Sequence, residues 1–448
     1  MTAPHTSVRK QRWLILSHAF NMDGRAASLT VTDKMPYLVE AGIEPIVLSA
    51  ITGAQDTRFE HHRLLPWGPA ALRFDLRHLL ARRLGRGVAY RVLTLLASLL
   101  LAPFMLLEKL LIGLRNQWSW ALPAFVRGAW MLRRRQIDLV YTSGGAYSAH
   151  LAGWWLKRWC GAKWIVEVHD PMVFPGREPA NRDERFQARL EGLICRHADL
   201  AWWFTDGALA AASARHPALR ERGITVLPGA EPPVRPATYT PGPVCVLGHF
   251  GSLSDTRSLV PFIRALNHLL SHEPDWRPLL RLEVYGGAID GPAQRLIEQH
   301  GLGDLVRAMG RLEHDPATGL SGRERVVQRM QQVDALLLMH GEGDECAQYI
   351  PSKLYDYFWA RRPVLAYTHL NPQLDRLVRD HQGWCAPATN TVAGAAALRE
   401  LVQRWQAGRL PTVTVPPVST QDAVEEIISA VEVAKISSIS SAFPPSRA

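Results

Sequence analysis

The segment IPSKLYDYFWARRPVLAY, residues 350–367, places a lysine and an acid three residues apart at the start of a predicted helix. Ser352 is the expected N-cap residue, and Lys353 and Asp356 then share one face of the first turn. An ammonium group neutralises a diphosphate, and a carboxylate accepts hydrogen bonds from both hydroxyls of a ribose. Asp356 could instead serve only the helix dipole, which favours an acid in the first turn. The segment alone therefore indicates either a nucleotide site or an ordinary helix start.

Glycine marks three predicted strand ends earlier in the same half of the chain. Each glycine allows the backbone to approach a ligand closely, and the carboxyl ends of parallel strands lie along one edge of a sheet. A helix is predicted after the first of these strands, with Arg257 at its start, where a guanidinium can pair with phosphate. The pattern predicts a site for phosphate and ribose that comprises Gly251, Ser252, Arg257, Gly286, Gly287, Gly310, Lys353 and Asp356.

The first half of the chain offers two further candidates for chemistry. The loop FNMDGRAAS contains Gly24 at a predicted strand end, and the run IVEVHDPMVF places His169 and Asp170 directly after a strand. From spacing alone, a structural hydrogen bond is the favoured role of His169. The sequence has no GxGxxG, GxSxG, HExxH or Walker pattern and no cluster with metal-ligand spacing, so we expect no bound metal and no classical dinucleotide site.

The elements that must position these residues alternate between apolar strands and helices. Such alternation predicts an α/β protein with parallel sheets covered on both faces. We predict an N-terminal Rossmann-like domain over residues 1–228, a Pro-rich linker at 229–243 and a second doubly wound domain over 244–410. A crossing segment with a final helix should occupy 411–435, followed by a disordered tail at 436–448.

Composition places the chain among ordinary globular proteins. Its apolar fraction is 47% and its charged fraction 21%. The 5 cysteines contain no CxxC pair, which fits a reducing cytosol and argues against a disulfide framework. The N-terminus lacks the apolar run and cleavage site expected of a signal peptide. We therefore predict a cytoplasmic protein.

The net charge of +10 is concentrated in residues 72–135, which carry eleven Arg and one Lys against Asp75 and Glu108. Within this stretch, residues 92–107 are uncharged and rich in Leu, but about 20 residues are needed to span a bilayer. Trp118, Trp120 and Trp130 follow. We predict that these helices lie in an anionic membrane surface, the alternative being an ordinary buried helix. The charge is interleaved with Leu and Trp and not with a platform for base stacking, so nucleic acid is not expected as a partner.

Taken in order, several motifs resemble the glycosyltransferases with two Rossmann-like domains facing across a cleft, the GT-B kind, and are similar to family 4. The resemblance covers residues 12–435. It is carried by GRAAS, DLVYTSGGAYSAHLAG, KWIVEVHDPM, ADLAWWFTD, ITVLPGAEPP, HFGSL, LEVYGG and IPSKLYDYFWARRPVLA.

The resemblance implies roles for individual residues. Asp356 would hold the nucleotide ribose, where the family more often has Glu. Arg257 and Lys353 would stabilise the diphosphate, and His169 would contact the donor sugar beside Asp170. Gln348 takes the place of the family's first acid, with Glu342, Asp344 and Glu345 as alternatives. The donor-binding set is Gly24, Gly251, Ser252, Gly286, Gly287, Gly310, Leu312, Gln348, Ser352 and Asp356.

The resemblance also implies a reaction. We expect a sugar to be transferred with retention from a nucleoside diphosphate donor of the UDP or GDP type, with no cofactor beyond this substrate. The acceptor would be a saccharide or a lipid-linked saccharide in envelope or exopolysaccharide synthesis at the inner face of the cytoplasmic membrane. A nucleotide-sugar 2-epimerase of the same fold and a non-catalytic, transferase-like scaffold are the alternatives.

Overall fold

A computed structural model describes residues 10–22, 25–85, 87–114, 117–176 and 178–442, with side chains up to residue 434. The chain forms two compact units. The first contains the described residues up to Leu227 and, in addition, those from Thr420 onward, and the second runs from Pro228 to Ser419.

The first unit is built on a seven-stranded parallel sheet in the order β3-β2-β1-β4-β5-β6-β7. Its strands are β1 Gln11–Leu16, β2 Ile43–Ala50, β3 Glu60–Leu64, β4 Leu139–Ser143, β5 Trp164–Val168, β6 Leu200–Trp203 and β7 Gly223–Thr225. Every residue of β4, β5 and β6 is buried. Such continuous burial is expected of central parallel strands that have helices on both faces.

Nine helices belong to the described part of this unit. They are α1 Ala26–Thr32, α2 Met35–Glu40, α3 Pro69–Leu84, α4 Val88–Leu111, α5 Ala121–Arg134, α6 Tyr147–Cys160, α7 Arg182–His197, α8 Asp206–Arg215 and, from the far end of the chain, α15 Thr420–Ala442. Helix α15 packs its apolar face, including Val424 and Ile427, into the core under β1 and β6.

The second unit contains a six-stranded parallel sheet in the order β10-β9-β8-β11-β12-β13. The strands are β8 Cys245–Gly251, β9 Leu280–Gly286, β10 Val306–Gly310, β11 Ala335–Met339, β12 Val364–Thr368 and β13 Trp384–Pro387. The helices are α9 Val260–His272, α10 Gly291–Gln299, α11 Gly322–Gln332, α12 Lys353–Trp359, α13 Pro372–Asp380 and α14 Thr391–Gln406. The predicted α/β class with two doubly wound domains is confirmed.

The basic stretch at 72–135 separates into two parts with different environments. Helices α3 and α4 pack against each other at the surface, and no residue of α4 is buried. Helix α5 instead covers the first sheet and buries Ala124 and Met131 in the core, and Trp120 before it is fully buried. The prediction of surface helices throughout 72–135 was therefore wrong for α5 and Trp120, because a crossover helix must cover the sheet between β3 and β4.

The predicted disordered tail begins too early. Helix α15 continues to Ala442, seven residues past the predicted helix end at 435. The sequence has no Gly or Pro between 420 and 442, so nothing in the backbone chemistry stops the helix before Pro444. Residues 443–448 lie outside the described part of the chain.

Candidate active site

The predicted nucleotide residues of the second unit gather where the strand order of its sheet reverses. Strands β8 and β11 are neighbours at this point, although they are separated by β9 and β10 in the sequence. Ligands of open α/β sheets bind at the carboxyl ends of the strands on either side of such a reversal. Gly251 ends β8, and helix α12 follows β11 after a connection, residues 340–352, that contains a short 3-10 helix.

Two glycines bring neighbouring strand ends close together. Gly251 and Gly286 are paired across β8 and β9 and have φ values of +122° and +117°. A Cβ atom on Gly286 would lie 2.9 Å from the carbonyl oxygen of Gly251. The φ values favour glycine, and the contact leaves no room for a side chain. Beyond them, a Cβ atom on Gly287 would lie 3.8 Å from Cα of the exposed Ser252.

Lys353 projects its ammonium group onto Gly251. A Cβ atom on Gly251 would lie 2.9 Å from Lys353 Nζ, and Nζ lies 3.5 Å from His249 Nε2. His249 is fully buried and its Nδ1 lies 3.0 Å from the Leu337 carbonyl oxygen. Because a carbonyl only accepts, Nδ1 donates there and Nε2 faces the ammonium group as an acceptor.

Burial and a second cation disfavour the charge on Lys353. Burial, and after it the nearby guanidinium of Arg257, lower the pKa of Lys353 to about 7. Burial also lowers the pKa of His249 well below its usual value, with Lys353 adding to the effect. In the described part of the chain no carboxylate lies within ion-pair distance of Lys353 or Arg257. Two cations without an acid between them form a site for an anion.

Helix α12 is anchored to both strands at the reversal. The hydroxyl of Tyr357 accepts from the Phe250 backbone N–H at 2.9 Å and donates to the Leu337 carbonyl at 3.4 Å. Ser352 occupies the predicted N-cap position but makes no side-chain capping bond. Asp356 lies one turn after Lys353 on the same helix face and is partly exposed.

Arg257 does not lie at the start of a helix, as its position in the sequence suggested. It closes a turn in which its backbone N–H donates to the Ser254 carbonyl at 2.9 Å, and α9 begins three residues later. Asp290 holds this loop by accepting from the Ser258 hydroxyl at 2.6 Å and from the Leu259 N–H at 3.0 Å. Sequence reasoning missed Asp290, although the Asp-Gly-Pro start of α10 indicates an N-cap.

Three predicted donor residues lie in other settings. Gly310 ends β10, the edge strand, two strands away from β8, and Leu312 is half-buried just beyond it. Gln348 is buried in a 3-10 helix, Asp344–Gln348, that precedes α12. Asn371 fixes this segment by donating to the carbonyls of Cys346 and Tyr349, both at 2.9 Å.

In the first unit His169 lies at the end of β5 in a tightly packed setting. Its ring stacks on Phe204 with centroids 4.9 Å apart. On another side, a Cβ atom on Gly144 would lie only 2.8 Å from His169 Cγ. His169 Nε2 lies 2.9 Å from Ser143 Oγ and 3.4 Å from Glu167 Oε2. Asp170 is exposed beside it, and Gly24 lies outside the described residues.

A buried carboxylate joins His169 to the core of this unit. Glu167 accepts hydrogen bonds from Lys34, from the Tyr141 hydroxyl at 2.5 Å and from the Ser143 hydroxyl at 2.7 Å. Burial alone would raise the pKa of Glu167, but the ammonium of Lys34 and the neighbouring ring of His169 outweigh it and hold the pKa below its usual range. Sequence reasoning missed Lys34, Ser143 and Glu167. A lone acid inside the apolar strand WIVEV was the available signal.

Known proteins resemble this chain in structure but not in sequence. No protein-family model matches the chain, and no curated protein matches its sequence. The structure is similar to sucrose-phosphate synthase from Thermosynechococcus elongatus, at 13% identity and a TM-score of 0.60, over 96% of this chain and 99% of that one. The chain has the GT-B fold.

Two further structures share the GT-B fold with this chain. One is α,α-trehalose-phosphate synthase (UDP-forming) from Burkholderia vietnamiensis, with 11% identity, a TM-score of 0.55 and coverage of 97% of both chains. The other is WaaG, described as a glycosyltransferase involved in lipopolysaccharide biosynthesis, with 14% identity, a TM-score of 0.54 and coverage of 95% and 99%. The closer resemblance to family 4 stays a prediction.

Proposed function

We propose that this protein is a glycosyltransferase that moves a sugar, with retention, from a nucleoside diphosphate donor to a saccharide or lipid-linked acceptor. The observation that carries the proposal is the position of Lys353 Nζ over Gly251, beside Arg257, at the strand reversal of the second sheet. A diphosphate supplies the negative charge that these two cations lack. The GT-B fold, which includes UDP-forming enzymes, supports the same reading.

Each site residue takes a specific role under this proposal. Lys353 and Arg257 hold the diphosphate and stabilise the charge that develops on it as the sugar leaves. Asp356, one helical turn from Lys353, accepts the ribose hydroxyls, and the glycine ends of β8 and β9 admit the donor. His169 contacts the sugar, with Asp170 nearby. The leaving diphosphate takes the acceptor proton, so no enzymic nucleophile is required.

Helix α4 supports docking at a membrane surface. The side facing α3 carries the partly buried positions 94, 97, 98, 101, 105 and 108, and most of the remaining circumference is exposed Leu, Val and Phe. Leu100 is 74% exposed. Among the described helices this is the one long and apolar enough to cross a membrane by length and composition. Such a surface, bordered by the arginines of α3, fits an anionic bilayer.

Contacts along α4 favour an interfacial position over a spanning one. Arg73 of α3 donates to the Ser98 hydroxyl at 2.8 Å, and Glu108 accepts from the Ala70 backbone N–H at 2.9 Å. Asp75, two residues after Arg73 in α3, is completely buried in the first unit. The C-terminal half of α4 is therefore held along a helix that belongs to the folded domain. An acceptor carried by a membrane lipid would be consistent with this arrangement.

Thermal unfolding with nucleotides tests the donor site. We expect one of UDP, GDP, ADP, CMP and dTDP, with UDP the first candidate, to stabilise the protein by about 2.7 kcal/mol at about 100 times its dissociation constant. Asp356→Ala and Arg257→Ala should each abolish this shift. The first removes the carboxylate that accepts hydrogen bonds from the ribose hydroxyls, and the second removes the guanidinium that binds the diphosphate.

Matched surface changes in the same unit serve as controls. Asp380→Ala and Arg376→Ala remove exposed charges from α13 and should leave the nucleotide shift intact. If no nucleotide stabilises the wild-type protein, either in solution or with vesicles present, the assignment of a nucleotide-sugar donor is wrong. That result would favour a non-catalytic, transferase-like scaffold.

A further inference from the structure

A continuous buried network runs from Lys34 through Glu167 and Ser143 to His169. Lys34 is 1% exposed and Glu167 is fully buried, so this is an ionic contact shielded from water. We propose that Glu167 and Ser143 are positioning residues that fix His169 as the tautomer with its proton on Nε2. Nδ1 is then presented as a hydrogen-bond acceptor to a sugar hydroxyl. The identity of that sugar rests on the proposed function.

The tautomer follows from counting hydrogens. Ser143 has one hydroxyl hydrogen, and its Oγ lies 2.7 Å from Glu167 Oε2. A carboxylate can only accept, so that hydrogen points at Glu167. Ser143 Oγ must then accept across the 2.9 Å that separates it from His169 Nε2. Nε2 therefore carries a proton, and the neutral ring keeps its lone pair on Nδ1.

The charges around Glu167 support an ionised carboxylate in this count. Glu167 receives three donors, from Lys34, Tyr141 and Ser143, and the ammonium of Lys34 balances its charge. Burial, followed by the charge of Glu167, raises the pKa of Tyr141 well above its usual value, so Tyr141 stays a donor. Protonation of Glu167 would leave the buried ammonium of Lys34 without its counter-charge, which is costly in the interior.

Packing keeps the ring from escaping this geometry. Phe204 stacks on one face at 4.9 Å, and the backbone of Gly144 leaves no room for even one added carbon beside Cγ. Turning the ring over would place carbon atoms where Nε2 meets Ser143 and would break that bond. Among the described residues none lies within hydrogen-bond distance of Nδ1, so this nitrogen is available to a ligand.

The tautomer limits which groups of a ligand can form a hydrogen bond with His169. An acceptor nitrogen bonds a hydroxyl hydrogen and cannot bond a phosphate oxygen that carries none. His169 in this tautomer therefore selects a hydroxyl group over a phosphate oxygen. The sequence motif containing His169 does not specify this preference, since both ring nitrogens are open in the isolated residue.

Nitrogen-15 NMR of the unliganded, full-length protein tests the tautomer directly. The His169 signal is assigned as the one missing from His169→Gln, and spectra are recorded at about pH 8, where an ordinary histidine is neutral. We expect a protonated, pyrrole-like Nε2 and a pyridine-like Nδ1. Ser143→Ala should replace this pattern by a mixture of tautomers, and Ser143→Thr should restore it.

Thr142→Val is the matched control, because it removes a neighbouring hydroxyl that bonds His150 and Trp164 instead. It should leave the His169 signal unchanged. A wild-type signal with the proton on Nδ1, or no change in a folded Ser143→Ala, overturns the proposal. The wild-type spectrum decides the matter even if Ser143→Ala does not fold.

Ligand binding separates this inference from the proposed function. For the nucleotide found above, the matching nucleotide-sugar should bind about tenfold more weakly to Ser143→Ala than to wild type. Affinity for the nucleotide alone should not change. Equal loss for both ligands would indicate a merely structural role and would contradict positioning of the sugar. If no nucleotide binds but the NMR pattern holds, the proposed function fails and the tautomer assignment stands.

Discussion

At the residue scale, Lys353 is an ammonium group placed where its charge is disfavoured. Its pKa lies at about 7 because burial and then Arg257 act against the proton. Near neutral pH the unliganded protein therefore holds a mixture of charged and neutral Lys353. A bound diphosphate shifts this mixture towards charged Lys353, because an anion stabilises the protonated ammonium group.

This arrangement predicts that nucleotide binding takes up a proton. The affinity for UDP, or for whichever diphosphate binds, should fall as pH rises from 7 to 9, by at most about tenfold per pH unit. The last proton of a terminal phosphate titrates near pH 6, which is below the range from pH 7 to 9, so it does not cause this fall in affinity. Titration calorimetry in buffers of different ionisation enthalpy measures the uptake. Lys353→Met should bind the nucleotide weakly, and its affinity should not change with pH in this range. If the affinity of this variant still falls with pH, the proton is taken up by another group.

Helix α12, at the scale of one element, is a short support for two site residues. Seven residues are too few to be a stable helix alone, so its position depends on tertiary contacts. Four of its side chains are buried, and Tyr357 bonds backbone groups of β8 and β11. The helix thereby sets Lys353 and Asp356 at the strand reversal.

Tyr357→Phe tests this support without touching the charged groups. We expect a loss of about 1 to 3 kcal/mol in the free energy of unfolding, because the buried Phe250 N–H loses its acceptor. Nucleotide affinity should also fall, since α12 shifts relative to Gly251. Chemical denaturation and calorimetry give the two quantities. Tyr355→Phe is the control, because its buried hydroxyl has no hydrogen-bond partner among the described residues. An equal loss in that variant would show that the Tyr357 bonds do not matter.

For the whole molecule, the distribution of charge is the feature that bears on location. The excess of +10 arises within residues 72–135, and α4 exposes its apolar side there. Arg82 of α3 donates to the Thr52 carbonyl at 3.4 Å, and Arg86 lies outside the described residues. Arg77, Arg83 and Arg91 are exposed and give a cleaner test.

We expect binding to anionic phospholipid vesicles that weakens with salt and is much lower on neutral vesicles. Replacing Leu96, Leu100 and Leu107 by Ser should weaken binding roughly a hundredfold, at roughly 1 kcal/mol for each half-exposed side chain. Changing Arg77, Arg83 and Arg91 to Gln should remove the preference for anionic lipid. Co-sedimentation with vesicles measures the affinity and the lipid preference.

Val234→Ser, at an exposed site in the second unit, is the control and should have no effect on vesicle binding. Unchanged binding in the Leu variant would exclude the α4 surface, and self-association without lipid would favour a second copy as its partner.

The sequence by itself determined the α/β class, the two sheets and the glycine-marked strand ends, because strand and helix periodicity is written in neighbouring residues. It also placed Lys353 and Asp356 on one helix face. Only the tertiary structure brought Lys353 to Gly251 and His249, about a hundred positions earlier, and Lys34 to Glu167. It also assigned α5 to the core and α4 to the surface. Such pairings depend on strand order and packing between distant segments, which local patterns do not specify.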